Sequence, residues 1–156
     1  MSKGYINDTN IWIDLDWRKL PRDSFPSLWA KIEAGVSSGM IFTLDMVFDE
    51  LQATAKKDDR LAKWIKDTRA ANPKFVLDST SDIQTVANGL INKYKLKTNA
   101  DPFLVAAAKK HGLTVVTAEK LNTQLAAKPH VPNLCFELGV PCITLLEMIK
   151  QNNWVF

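Results

Sequence analysis

Leu113-Thr114-Val115-Val116-Thr117 follows an alanine-rich stretch and a glycine, and leads into Ala118-Glu119. A run this short, apolar and β-branched fits a strand buried on both faces, as in a parallel sheet covered by helices. Shorter runs of similar character lie at 4–7, 40–42, 75–78 and 140–143. Most are separated by stretches with helical spacing. Such alternation predicts an α/β chain with a small, mainly parallel sheet and helices on both faces.

Helix boundaries follow from capping and breaking residues. A helix over 9–19 ends before Pro21, and another runs from Pro26 to about Val36, with Leu28, Trp29, Ile32 and Val36 on one face and Gly39 as its stop. Thr43 opens a helix that buries Leu44, Val47, Phe48 and Leu51. Asp58 opens the next, carrying Leu61, Trp64 and Ile65. Ser81 caps a helix with Ile83, Val86, Leu90 and Ile91. Asp101 begins the alanine-rich helix, with Pro102 in its first turn and Gly112 past its end. The tail holds a short helix near 132–138 and a last one from Thr144.

With 156 residues, 46% hydrophobic and 24% charged, the chain reads as a single domain over 1–156. Cys135 and Cys142 lack zinc-site spacing and read as free thiols in a reducing compartment. No leader segment is evident, and no apolar run approaches the ~18 residues of a membrane span. A soluble, cytoplasmic protein is expected. The net charge of +3 permits an anionic partner without demanding one.

In open parallel sheets, sites form beyond the carboxyl ends of the strands. Asp8 and Glu119 both lie there. Asp101 sits at a helix start, and Glu50 lies two turns into the helix opened by Thr43. Singly, each acid has an ordinary explanation: Asp8 and Asp101 as caps, Asp49 and Glu50 as solvated helix surface, Glu119 as part of a turn. If the four converge, like charges at about 4–5 Å repel by a few kcal/mol per pair at an effective dielectric near 20. A hard divalent cation relieves that repulsion, and carboxylate oxygens suit Mg²⁺ or Mn²⁺.

The order of these segments resembles the PIN-domain family of metal-dependent nucleases. Asp8-Thr9-Asn10 after the first strand looks like the opening motif. "TLDMVFDEL" resembles the second, with its acid at Glu50. "ADPFLVAAAKKHGLTVVTAE" resembles the third and fourth together. "VFDEL", "ADPFLVAAA", "VVTAEK" and "VPNLCFELGVPCITLLEMI" are similar to a bacterial PIN-like subgroup, domain of unknown function 4411. The resemblance implies a PIN-like three-layer α/β/α sandwich. It also implies a VapC-like endoribonuclease using Mg²⁺ or Mn²⁺, the toxin of a type II toxin–antitoxin pair, with an antitoxin partner and homodimerisation. Asp8, Glu50, Asp101 and Glu119 match the acids that hold metal and catalyse. Asn10 and Thr117 match supporting polar positions that orient a carboxylate. The fourth acid is usually Asp in the family. Here it is Glu119, whose length fits a water-mediated contact. Asp49 is about 100° from Glu50 on a helix and points to solvent; Asp14 and Asp45 are outside candidates. Hydrolysis would leave a 5′-phosphate and a 3′-hydroxyl.

RNA is the expected substrate. Lys93, Lys95 and Lys97 are expected to contact its backbone, and Lys109-Lys110 add charge. Seven basic residues between 56 and 74 face three acids, a pattern shared with solvated helix faces. Trp12 and Trp17 are candidates to stack bases, although core packing is the default for Trp12, Trp29 and Trp64. Trp154 reads as an anchor for the tail or a partner. His111 and His130 have no partner motif and are not expected to be catalytic. Two other classes compete: a catalytically inactive PIN-like nucleic-acid-binding or interaction protein, and a small-molecule phosphohydrolase. The latter lacks its D-x-D after the first strand, and no glycine-rich phosphate loop is present.

Overall fold

The computed structural model describes residues 4–56, 59–124 and 128–156, without the side chain of Trp17. Strands β1 (Tyr5–Asn7), β2 (Ile41–Leu44), β3 (Val76–Leu77), β4 (Thr114–Val116) and β5 (Cys142–Ile143) form one five-stranded sheet in the order β3-β2-β1-β4-β5. All four pairings are parallel. The first strand of the chain thus lies in the middle. β1 pairs with β4 in the register Tyr5↔Thr114, Ile6↔Val115, Asn7↔Val116. The Asp8 N–H extends this ladder to the Val116 carbonyl at 2.9 Å.

The strand order reverses at β1. Right-handed crossovers therefore place the helices that follow β1 and β2 on one face, and those that follow β3 and β4 on the other. The first group is α1 (Thr9–Ile13), α2 (Pro26–Ser37), α3 (Asp45–Ala53) and α4 (Arg60–Ala71). Its core is aromatic: Trp12 and Trp29 both pack on Trp64, with centroids 5.6 and 4.9 Å apart. The second group is α5 (Ser81–Tyr94), α6 (Ala100–His111) and α7 (Val131–Leu138), packed in series. The expected three-layer α/β/α sandwich around a small parallel sheet holds. α8 (Leu145–Gln151) closes the chain, with Gln151 and Asn152 bonded to the Tyr5 hydroxyl. No helix among the described residues is long and apolar enough to cross a membrane.

Several expected boundaries move. Thr43 caps nothing: it is buried in β2, and its hydroxyl accepts the Trp12 indole N–H at 3.3 Å. α3 starts two residues later, because the buried β2 continues through Leu44. Asp58 lies outside the described residues, and Asp59 caps α4 by accepting the Ala62 N–H at 3.0 Å. Thr80, not Ser81, occupies the N-cap position of α5. Asn99, not Asp101, caps α6, its Oδ1 accepting the Asp101 N–H at 3.0 Å. The expected helix over 9–19 splits into α1 and a π-helical turn, Asp14–Arg18. Gly112 ends α6 at φ 64°, the left-handed region open to glycine.

Candidate active site

The crevice beyond β1 and β4 is where the strand order reverses, the place such sheets use for ligands. Asp8 sits at its floor, almost fully buried. It is both a cap and a site residue. Oδ1 accepts the Thr9 N–H at 2.7 Å at the start of α1, and Oδ2 accepts the Thr117 hydroxyl at 2.8 Å. Burial pushes its pKa up from 3.8 to about 6, against the lowering effect of those two bonds; Glu119 and Glu50 add to the rise.

Glu50 reaches the same residue from α3. Its Oε2 accepts the Thr9 hydroxyl at 2.8 Å, so Thr9 holds Asp8 through its backbone and Glu50 through its side chain. Asp49, one position earlier, is exposed as helix geometry requires. Asp101 enters from the first turn of α6. Burial, then the charges of Asp8, Glu119 and Glu50, push its pKa from 3.8 to about 7, while His130 opposes the rise. Each of the other three acids thus acts on Asp101.

Glu119 is more than a turn residue. Its Oε2 accepts the Val131 N–H at 2.8 Å at the start of α7. Its own N–H donates to the Thr117 hydroxyl oxygen at 3.1 Å. Asn10 supports the same turn, its Oδ1 accepting the Ala118 N–H at 3.1 Å. Among the described residues, no three His, Cys, Asp or Glu side chains are arranged to hold a metal ion together. The donor chemistry nonetheless suits a hard cation. Carboxylates of Asp8, Glu50, Asp101 and Glu119 repel one another in a poorly solvated crevice, and a divalent charge there would relieve that repulsion.

Other expected residues fall outside this network. Asp45 accepts both the N–H and the hydroxyl of Ser79, tying α3 to the loop after β3. Asp14 pairs with Lys19 at 3.4 Å. Lys93 is paired with Glu137 at 2.6 Å, whereas Lys95 and Lys97 are exposed with no ion pair among the described residues. Trp12 is fully buried, which removes it as a base-stacking platform; Trp17's side chain lies outside the described residues. Trp154 is half-buried and packs against the core. Cys135 and Cys142 are free thiols.

Sequence reasoning passed over Thr9 and Asn7. Thr9's signal was a hydroxyl directly after the first acid. Asn7 is fully buried beside Asp8, and neither of its side-chain polar atoms has a hydrogen-bond partner among the described residues.

The family model described as domain of unknown function DUF4411 matches residues 5–156. The chain belongs to that family. Its fold is similar to the structure of FitAB bound to an IR36 DNA fragment, at TM-score 0.58 and 16% identity over 90% of this DUF4411 chain and 94% of that one. It is also similar to FitAcB from Neisseria gonorrhoeae, at TM-score 0.56 and 15% identity over 89% and 96% of the two chains. VapBC2 from Rickettsia felis, bound to a DNA fragment from its promoter, follows at TM-score 0.51 and 16% identity over 74% and 87%. These likenesses are of fold. No curated protein matches the DUF4411 chain.

Proposed function

We propose that this DUF4411 protein is a divalent-metal-dependent endoribonuclease and the toxin of a toxin–antitoxin pair. The observation that carries this reading is the hydrogen-bonded chain Glu50–Thr9–Asp8–Thr117 at the switch point, with Asp101 under the influence of the same acids. Four separate parts of the sequence supply those groups, and capping alone does not require them to meet. Asp8, Glu50 and Asp101 would hold Mg²⁺ or Mn²⁺, with Glu119 reaching it at longer range. The cation would supply an activated water and neutralise charge on the phosphodiester. Thr117 and Thr9 hold the Asp8 and Glu50 carboxylates in place through hydrogen bonds. Lys95 and Lys97 are free to contact RNA backbone. An antitoxin partner is in keeping with the motif resemblance.

The test is purified protein with Mn²⁺ on a mixed RNA pool, beside Asp8→Asn. Metal-dependent cleavage by the wild type and none by the variant supports the reading; equal activity of both removes it. One observation favours a second reading, an interaction protein of the same fold: Glu119 is already engaged with the start of α7. Calorimetric titration with Mn²⁺ separates the two. A nuclease binds the ion and loses affinity in Asp101→Asn, whereas an interaction protein shows neither.

A further inference from the structure

Phe136 lies on the outer side of α7, with its side chain 85% exposed. Val131, Leu134 and Cys135 take the buried side of the same helix, so Phe136 adds nothing to the core. Its ring lines a cleft of about 260 Å³ together with Tyr94, Asn122, Gln124, Pro129 and Asn133. That volume is below the range of about 300–1,000 Å³ typical of drug-sized ligands, so the cleft suits a single flat ring system. Both walls are held. Asn122 N–H donates to Asn133 Oδ1 at 2.8 Å, and Asn133 Nδ2 donates to the Asn122 carbonyl at 2.9 Å. On the other side, Glu137 accepts the Tyr94 hydroxyl and pairs with Lys93 at 2.6 Å.

Charge and position say what this cleft takes. Lys95 follows Tyr94 directly, and the Lys128 carbonyl accepts Asn122 Nδ2 at 2.9 Å on the opposite wall. Both lysines are exposed, with no ion pair among the described residues. Glu137, the acid that lines the cleft, is already offset by Lys93. A cationic rim around an exposed aromatic ring fits a phosphate backbone with a base turned inward better than an apolar peptide. The amides of Asn122 and Gln124 suit the polar edge of such a base. As for position, the Val131 N–H at the start of α7 holds Glu119 Oε2 at 2.8 Å. Phe136 lies five residues further, about 7.5 Å along the helix axis. That offset is about two nucleotides at the stacked spacing of about 3.4 Å. A strand lying across the acids therefore reaches the ring within a few nucleotides.

We propose that the cleft between Tyr94 and Phe136 captures an unpaired nucleobase of the RNA strand, stacked on the Phe136 ring, a short distance from the acidic crevice. This rests on the ribonuclease reading above and deepens it: the strand is held by a base as well as by its phosphates. A base in a duplex has both faces covered by its neighbours and offers the ring nothing. Every base has a π-face, so the capture tolerates any sequence.

The test is fluorescence anisotropy of the full chain at low salt, in chelator so that no strand is cut. Three labelled ligands are compared: a mixed-sequence RNA single strand of about 12 nucleotides, the same backbone without bases, and a blunt RNA duplex. Wild type should bind the single strand at least about 10-fold more tightly than the abasic one. Phe136→Ala should weaken the single strand about 10-fold, and the abasic strand and duplex less than about 2-fold. Phe136→Trp should restore the wild-type value, which a purely structural role would not allow. Equal binding of the single and abasic strands by the wild type overturns base capture, even if Phe136→Ala fails to fold. So does an unchanged RNA affinity in Phe136→Ala, and if that variant also turns a dimer into a monomer on size exclusion, the ring belongs to an interface with a second copy. Cleavage of RNA with Mn²⁺ in either of those cases leaves the nuclease reading standing. Base-dependent binding without any cleavage in Mn²⁺ supports the cleft and removes the nuclease. No binding of any strand by the wild type overturns the cleft.

Discussion

Thr117 donates its hydroxyl to Asp8 Oδ2 across 2.8 Å, joining residues 109 apart in the chain. The same oxygen accepts the Glu119 N–H at 3.1 Å, so one hydroxyl aligns the first acid and the turn that carries the fourth. The bond exists because β4 is the parallel neighbour of β1, with Val116 level with Asn7.

Thr117→Val keeps shape and apolar volume but removes that donor. The Asp8 carboxyl, already raised to about 6 by burial, then loses a bond that lowers it. The pH midpoint of Mn²⁺ binding should move upward, and affinity near neutral pH should fall about 10-fold. Calorimetry over pH 5–8 measures both; an unchanged midpoint would show that the hydroxyl does not govern Asp8.

Asp101→Asn should stabilise the metal-free protein near neutral pH. The folded pKa of about 7 lies above the ordinary 3.8, so the folded state holds the proton more tightly. Below pH 4 the group is protonated in both states and its favourable contribution is complete. As pH rises through about 7, charge is forced into an acidic, poorly solvated crevice and that contribution is lost. At pH 7.5, after allowance for solvent reaching the half-buried side chain, the variant should gain about 2 kcal/mol and about 5 °C in Tm. Saturating Mn²⁺ should reverse the order, since only the wild type keeps the ligand. Thermal melts with and without the ion are the measurement.

Thr9→Val should leave α1 in place, because the Asp8 cap uses the backbone N–H. Glu50 loses its 2.8 Å hydroxyl partner and gains freedom on the flank of α3. Cleavage should drop about 10-fold with far-UV circular dichroism unchanged. A rate equal to wild type would mean that Glu50 needs no positioning.

Much of this arrangement is legible in residue order. Short buried strands ending on Asp8 and Glu119, with a helix opening at Asp101, define a crevice before any coordinate is known. Helix starts are not legible to the residue. Where Asp58 and Asp59, Thr80 and Ser81, or Asn99 and Asp101 crowd together, several side chains have similar cap preference, and residue order alone does not rank them. Thr43 shows the same competition: its hydroxyl is taken by Trp12, a contact set by layer packing. His130 has no partner motif in the sequence, yet its ring nitrogen meets the Lys120 carbonyl oxygen at 2.8 Å, a contact that no side-chain pattern announces.

Reversing Lys95 and Lys97 to Glu should weaken RNA binding and reduce the slope of log K against log salt by about 2, if each cation meets one phosphate. Lys93→Glu should behave differently, since it also breaks the pair with Glu137 and sets two acids together. Filter binding across a salt series distinguishes them. An unchanged slope in the double variant would move the RNA path to another face.

The central place of β1 in the sheet also orders events during synthesis. Asp8 leaves the ribosome long before Thr117 and stays without its hydroxyl partner until β4 emerges and slides in beside it. A nascent chain that stops short of Thr114 therefore lacks a completed crevice, and any chemistry the crevice supports waits for β4.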